Sequence, residues 1–290
     1  MVACAFLGLG VMGYPMAGHL VAAGHGVTVY NRSAGKARAW AEAHGGKTAP
    51  SPAAAASGAE VVALCLGNDD DVRSVVYGDA GALAGMAAGA VLVDHTTASA
   101  DLARELAKAC AERGVGFVDA PVSGGQAGAE NGVLTIMCGG TPADFAKVAP
   151  VLGAYGRAVT LMGEAGSGQL TKMVNQICIA GLLQGLAEGV AFAQAAGLDT
   201  DKVVEVISKG AAQSWQMENR WQTMAKGEFD FGFAVDWMRK DLGICLDEAK
   251  RNGTPLPVTA LVDQFYRQVQ RAGGQRWDTS SLVHLLQQRS

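Results

Sequence analysis

From Val2 to Met162 short apolar runs alternate with helix-like stretches, and after Gly168 no further strand pattern is found. The runs are Val2–Leu7, Val27–Tyr30, Val61–Leu66, Val91–Asp94, Gly116–Asp119, Leu134–Cys138 and Ala158–Met162. Helical patterns between them include Met12–Ala23, Ala34–His44, Ala100–Arg113 and Pro142–Leu152. Such alternation builds βαβ units, hence an α/β fold with a largely parallel sheet. The runs are apolar throughout, as strands are when helices cover both faces of the sheet. Beyond Gly168 the spacing predicts helices at about 167–196, 199–209, 214–226, 236–252, 256–272 and 278–288. Asp199 and Asp278 are expected N-caps, and Gly197, Gly227 and Gly253 expected stops. The first of these helices would be on the order of 45 Å long at ~1.5 Å per residue. It could leave the first domain and form the spine of an all-α second one. The expected division is residues 1–163 and 164–290. With no repeat and no disordered linker, the second domain is expected to pack on the first or on a second subunit.

Directly after the first run, Gly8-Leu9-Gly10-Val11-Met12-Gly13 reads G-x-G-x-x-G and opens a helix. Gly8 allows the tight turn, Gly10 lets the backbone approach a pyrophosphate, and Gly13 allows close helix–strand contact. Free N–H groups at the helix start then face the phosphates. In this position the motif predicts a dinucleotide-binding Rossmann domain with a doubly wound sheet, rather than a merely glycine-rich turn. The Gly-Lys-Ser/Thr ending of a nucleotide-hydrolysing P-loop is lacking. The second run ends Tyr30-Asn31-Arg32-Ser33, with Lys36 following. An acidic residue there would accept the ribose 2′-hydroxyl of NAD; Asn31 and Arg32 stand in its place, and arginine can pair with a 2′-phosphate. NADP(H) is therefore favoured over NAD(H), the bland alternative being that Arg32 is a solvated charge stacking on adenine. Asn68 and Thr97 follow two further strand ends, where ligands of open parallel sheets bind, and are candidate cofactor contacts. Taken alone, each reads as a helix cap or turn residue rather than a contact.

Two further segments carry chemistry. Asp119-Ala-Pro-Val-Ser123-Gly124-Gly125 ends a strand, and its serine and paired glycines can offer a hydroxyl and backbone N–H groups to a carboxylate. Pro121 rules out a G-x-S-x-G nucleophile elbow. In Gly166-Ser-Gly-Gln-Leu-Thr-Lys172-Met-Val-Asn175, a glycine cluster opens the long apolar helix, and Lys172 and Asn175 share one helical face. A charged amine heading such a helix is costly to bury without a partner or a task. Beside a nicotinamide the task is evident: hydride arriving at a carbonyl carbon leaves alkoxide character on oxygen, which an ammonium stabilises and protonates. In oxidation a neutral amine removes the hydroxyl proton. A free lysine, with a pKa of about 10.4, is a poor base for this, and desolvation and a cationic neighbour would lower it.

Composition narrows the partners. The chain has 290 residues, 49% of them hydrophobic, and a net charge of −4. That balance argues against nucleic acid or an anionic membrane surface as the main partner. The N-terminal apolar run lacks a basic flank and reads as a strand rather than a targeting peptide. Residues 177–196 are long enough to raise the question of a membrane span, but Gln184, Glu188 and Gln194 interrupt them, so a buried central helix is expected. The six cysteines, Cys4, Cys65, Cys110, Cys138, Cys178 and Cys245, are scattered without a C-x-x-C, as expected of buried free thiols in a reducing cytoplasm. No histidine stands at a metal-ligand spacing, and no metal is expected.

These motifs together resemble the β-hydroxyacid dehydrogenase family, which includes 3-hydroxyisobutyrate dehydrogenases and tartronate, glyoxylate and succinic semialdehyde reductases. The resemblance covers essentially the whole chain: the glycine motif at Gly8–Gly13, Asp119–Gly125, Gly166–Asn175, and Lys240-Asp241-Leu242 occur in the family's order. It implies Lys172 as catalytic acid/base, Asn175 orienting substrate or lysine, Ser123, Gly124 and Gly125 holding the substrate carboxylate, and Thr97 and Lys240 contacting the cofactor. It also implies a Rossmann domain followed by an all-helical domain, assembled as a homodimer or homotetramer through the latter. Imine reductases share the architecture but usually lack the lysine, so carbonyl chemistry is favoured over imine chemistry. A non-catalytic cofactor-binding module is the reading from another class, against which the Lys172–Asn175 pair speaks. Trp215, Phe231 and Trp237 are candidates to wall the substrate pocket. Arg220 and Arg239 are candidates for a second carboxylate, or for pairing with Glu218 and Asp241.

Overall fold

The computed structural model describes residues 1–287. The chain divides into two compact units, Met1–Lys172 and Met173–Ser290. The first begins with β1 (Ala3–Leu7), α1 (Gly13–Ala22), β2 (Gly26–Tyr30), α2 (Ala34–His44), β3 (Lys47–Thr48) and α3 (Pro52–Ala56). It continues with β4 (Val61–Leu64), α4 (Asp69–Val76), α5 (Ala82–Gly85), β5 (Val91–Asp94), α6 (Ala100–Ala111), β6 (Gly116–Asp119) and β7 (Val122–Ser123). It closes with α7 (Gly125–Glu130), β8 (Leu134–Gly140), α8 (Pro142–Leu152), β9 (Gly156–Gly163) and the start of α9 (Ser167–Ala195). All seven expected strands form, within a few residues of their expected ends. The two-residue strands β3 and β7 and the short helices α3, α4, α5 and α7 are additions.

The sheet order is β3-β2-β1-β4-β5-β6-β8-β7, with β9 paired to β8. Strands β1 to β6 run parallel; β8 is antiparallel to β6 and β7 and parallel to β9. Side chains alternate across the pleat, and both sets are apolar. Cys4, Phe6, Val27, Val29, Val61, Ala63, Val91 and Val93 belong to one core cluster. Ala5, Leu7, Val62, Leu64 and Leu92 belong to the other. This two-sided burial is why the strands lack polar alternation. Order reverses between β1 and β4, so the crevice beyond their carboxyl ends is where such a sheet takes its ligand. The register aligns those ends: Leu7 faces Tyr30 and Leu64, Leu64 faces Asp94, and Asp94 faces Asp119. The loops that follow therefore leave the sheet at one level.

In the second unit, α9 is followed by α10 (Thr200–Ile207), α11 (Trp215–Lys226), α12 (Val235–Asn252) and α13 (Pro257–Arg271). Asp199 caps α10, accepting from the N–H groups of Asp201 and Lys202. Gly227 and Gly253 end α11 and α12 in the left-handed conformation. The expected helix at 278–288 is instead a 3-10 turn, Thr279–Val283, capped by Asp278, followed by the one-turn α14 (His284–Gln287); residue 288 lies outside the described residues. Asp278 anchors this turn, accepting from the Ser280 and Phe233 N–H groups, and the Ser281 N–H closes on the carbonyl three residues back, which is the 3-10 spacing. Helix α9, with 29 residues, is long and apolar enough to span a membrane by length and composition. In this fold its Ala180, Leu183, Ala187 and Val190 lie in the second unit's core with Trp221, Met238 and Tyr266. All six cysteines are free thiols, but Cys178 is exposed, a correction to the expected burial: position 178 falls on the outer side of α9.

The turn after β5 is unusually polar for a buried place. Asp94 is 1% exposed and His95 2%. The Thr96 N–H donates to Asp94 Oδ1 at 2.8 Å. His95 Nδ1 lies 2.7 Å from the Ala120 carbonyl oxygen, which can only accept, so the ring hydrogen is on Nδ1 and Nε2 accepts from the Tyr155 hydroxyl at 2.8 Å. Burial holds the imidazole down to about 4 and pushes the Asp94 carboxyl up to about 7. A raised carboxyl binds its proton more tightly folded than unfolded. Its stabilising contribution is complete below the ordinary carboxylate range and is lost as pH rises through about 7. Asp94→Asn keeps the acceptor oxygen and should flatten the fall in stability between pH 4 and 7, which amounts to at most about 1.4 kcal/mol per pH unit for one such group. Urea melts across that range test this; an unchanged slope would show that Asp94 titrates normally.

Candidate active site

The first unit holds the glycine loop at its switch point. Gly8 has φ +96°, and a Cβ there would lie 2.4 Å from the Cys65 carbonyl oxygen. A Cβ on Gly13 would lie 2.0 Å from the Gly8 oxygen and 2.9 Å from the Phe6 ring. Gly10 differs: a Cβ there would meet nothing within 4 Å. Packing within the chain does not demand glycine at that exposed position, whereas a phosphate lying against the backbone would. Leu9 is fully buried and pins the loop into the core. Helix α1 starts at Gly13 with no side-chain cap and no acid in its first turn, so its positive end is offered to an anion, although the Tyr14 N–H is spent on the Gly10 carbonyl. These residues fit a dinucleotide pyrophosphate.

Side chains brace the neighbouring strand ends. Asn31 accepts from the Leu9 N–H at 3.0 Å and donates to the Ser33 carbonyl at 3.2 Å, tying the glycine loop to the end of β2. Arg32, Ser33 and Lys36 stand exposed just beyond it. Asn68 caps α4, accepting from the Asp71 N–H at 2.9 Å. The Leu66 N–H donates to Thr96 Oγ1 at 3.0 Å, and the Ser99 N–H donates to Asp69 Oδ1 at 3.0 Å. Gln169, 1% exposed, donates to the Thr96 carbonyl at 2.7 Å and accepts from the Ala98 N–H at 3.1 Å. Half-buried Thr97 is thus held from both sides.

Beyond β6, Ser123 pairs with Thr135 of β8, and Gly124 and Gly125 follow with φ +130° and +61°. Lys172 is 8% exposed and its Nζ donates to the Val122 carbonyl oxygen at 2.8 Å. The amine therefore lies on the residue that precedes Ser123. Asp119 is fully buried; its carboxyl accepts from the Gly166 and Gln169 N–H groups at 2.7 and 2.9 Å. Burial nonetheless pushes it up to about 6.

The second unit carries Asn175 and Lys240. Asn175 Nδ2 donates to Gln176 Oε1 at 2.8 Å, and Gln176 Nε2 donates to Asp241 Oδ2 at 2.6 Å. The other oxygen of Asp241 lies 3.1 Å from Lys240 Nζ, which sits 5.8 Å from the centre of the Trp237 ring. One polar chain thus links Asn175 to Lys240. Arg220 and Arg239 pair differently from expectation. Arg239 forms a two-pronged ion pair with Asp263. Arg220 reaches Asp278 at 3.2 Å between the rings of Trp215 and Phe231, each 5.0 Å away. Neighbours along the chain were outcompeted by acids that tertiary folding presents. Asp119, Gln169, Gln176 and Asp241 were missed as functional supports. The available signal was polarity inside apolar runs: each becomes a buried polar residue that must find partners.

A glycine loop at the switch point, an uncapped helix start and a lysine beside a Ser-Gly-Gly turn define a nicotinamide-dinucleotide-dependent oxidoreductase. Residues 3–163 match the NAD binding domain of 6-phosphogluconate dehydrogenase, and residues 166–286 match the NAD-binding domain of NADP-dependent 3-hydroxyisobutyrate dehydrogenase. The chain is 65% identical over 287 residues to an uncharacterized oxidoreductase of Shewanella frigidimarina, covering 99% of each. It is 37% identical to the 3-hydroxyisobutyrate dehydrogenase of Pseudomonas aeruginosa, covering 90% of each. The structure of Mycobacterium tuberculosis 3-hydroxyisobutyrate dehydrogenase with L-serine superposes with a TM-score of 0.89 at 31% identity, covering 99% of each chain. The chain belongs to the β-hydroxyacid dehydrogenase family.

Gly13→Ala should weaken binding of the nicotinamide dinucleotide, whether NADPH or NADH, at least about tenfold, because the new methyl displaces the loop that α1 and β1 share. Fluorescence titration of NADPH measures it, and an unchanged Kd would refute the close approach.

Proposed function

We propose that the protein is an NADPH-dependent reductase, acting reversibly, on a short aldehyde acid or the matching 3-hydroxy acid, with Lys172 as general acid/base. The observation that carries this is the buried Lys172 amine on the Val122 carbonyl, one residue from Ser123. When bound, the nicotinamide supplies hydride to the substrate carbonyl carbon, or takes it up in reverse. Ser123 Oγ and the backbone N–H groups at Gly124 and Gly125 hold the substrate carboxylate, and Asn175 orients substrate or amine. The Lys172 ammonium then stabilises and protonates the developing alkoxide, and its neutral form receives that proton in oxidation. Gly8–Gly13 take the pyrophosphate, with Thr97 and Lys240 as further cofactor contacts.

Preference for NADP(H) rests on Asn31 and Arg32. No carboxylate stands at the end of β2 to repel a 2′-phosphate, and the Asn31 amide is committed to Leu9 and Ser33. Exposed Arg32 follows, able to grip a phosphate with two N–H groups. The description of the family matched by residues 166–286 as NADP-dependent supports the same choice. Assembly of copies through the helical unit belongs to the same reading, as the family resemblance implies.

The test is absorbance at 340 nm with NADPH or NADH and glyoxylate or succinic, tartronate or methylmalonate semialdehyde, with 3-hydroxy acids run in reverse. NADPH-linked turnover of one of these is expected; cofactor binding without turnover of any would overturn the reading. Lys172→Ala should lower kcat about 10²- to 10⁴-fold, the usual worth of a positioned proton donor, with NADPH binding retained. Near-normal turnover would remove Lys172 from the chemistry. Arg32→Asp should weaken NADPH about 10- to 100-fold, as the loss of a charged hydrogen bond does, and NADH far less. Equal losses for both cofactors would show that Arg32 does not read the 2′-phosphate.

A further inference from the structure

The Asp119 carboxyl is a costly group to place in the first unit. It is fully buried, and a buried carboxylate is costly unless its oxygens are satisfied. Its partners are backbone amides at the start of α9: the Gly166 N–H donates to Oδ1 at 2.7 Å and the Gln169 N–H to Oδ2 at 2.9 Å. Two glycines from other segments make room for it. A Cβ on Gly139 would lie 2.5 Å from Oδ1, and a Cβ on Gly168 would lie 2.8 Å from Oδ2 and 2.3 Å from the Met137 carbonyl oxygen. An apolar side chain would fill this space without the desolvation cost. The carboxyl does something that packing alone does not: it satisfies amides that the first turn of α9 leaves without helical partners.

The same two segments are joined a second time. Asp119 begins the run Ala120–Gly125, and Gln169 lies three residues, one helical turn, before Lys172. Lys172 Nζ donates to the Val122 carbonyl, three residues after Asp119. The carboxyl-to-amide bonds are between short, rigid groups, whereas the lysine reaches back on a flexible four-carbon stem. The first join therefore sets where the second can fall. Gln169 fastens the same helical turn to Thr96 and Ala98, so this turn is gripped from two strand-end loops.

We propose that Asp119 is a positioning residue for the reaction, acting through the first turn of α9 to hold the Lys172 amine in register with Ser123. The proposal rests on the reading of Lys172 as the proton donor. A misplacement of about 1 Å at such a group can cost about 10²-fold in rate. The experiment is a double-mutant cycle in the full-length enzyme, combining Asp119→Asn with Lys172→Ala. It is assayed with NADPH and whichever of the four aldehydes named above the parent turns over fastest. Thermal melting and NADPH titration verify that each variant is folded. If Asp119→Asn does not fold, Asp119→Ser, whose hydroxyl can still accept from an amide, takes its place in the cycle.

In the parent background the Asp119 variant should lose about 10- to 100-fold in kcat, with NADPH affinity nearly unchanged. On Lys172→Ala it should lose less than about twofold, because a residue acting only through the lysine has nothing left to act on. An equal loss in both backgrounds would overturn the proposal while leaving Lys172 as the proton donor, since a merely structural defect is additive. No loss in either background would overturn it too. If the parent turns over none of the aldehydes, or Lys172→Ala turns over near-normally, the reading of Lys172 fails and the proposal falls with it.

Discussion

Pairing of β1 with β2 on one side and β4 on the other is the constraint on which the first unit turns. It buries both faces of β1, so Phe6 and Leu7 serve opposite cores. It also forces the chain leaving Leu7 to turn at once, between two neighbouring strand ends, because a straight continuation would strand backbone polar groups outside the sheet. The tight, left-handed Gly8 and the close contact of Gly13 with Gly8 solve that problem. The solution leaves the start of α1 beside the strand ends with no side-chain cap and no acid in its first turn. An anion-binding site is therefore a by-product of how β1 must end.

The other strand ends share a second feature: their loops are tied by side chains to backbone groups of the next loop. Asn31 holds Leu9, Thr96 holds Leu66, Asp69 holds Ser99, and Gln169 spans Thr96 and Ala98. Each bond is modest in net worth, about 1 kcal/mol, but the groups are partly or wholly buried and expensive to leave unmade. The result is a rim whose loops cannot shift singly. Such stiffness suits a cofactor site whose groups must be held to within about 0.5 Å.

Much of this was legible in the chain. Apolar runs and long amphipathic patterns declared seven strands and the major helices, most plainly where β4 and β5 are buried on both faces; β9 is largely exposed, and only its apolar stretch from Ala158 was readable. The glycine motif carried its own mechanism, and Lys172 stood out as a charge in an apolar helix. What was hidden depends on tertiary partners. Two-residue strands such as Lys47–Thr48 have no periodicity to read. Asn31 and Asn68 look alike as polar residues after a strand, yet one braces the glycine loop and the other caps α4. Arg239 passes over Asp241 for Asp263, 24 residues away along the chain. Asp119 was read only as one letter of a motif, since nothing local says that its carboxyl turns inward beneath another helix.

The ion pair of Lys240 with Asp241 alters how that lysine attracts anything. A carboxylate 3.1 Å from the ammonium cancels most of its field beyond a few ångströms, so an approaching phosphate meets a dipole rather than a net charge. Its pull is felt only at contact. Attraction of anions from a distance belongs instead to exposed cations such as Arg32 and Lys36, whose reach is set by the Debye length. Added salt would accordingly weaken the pull of those exposed cations more than that of the paired Lys240.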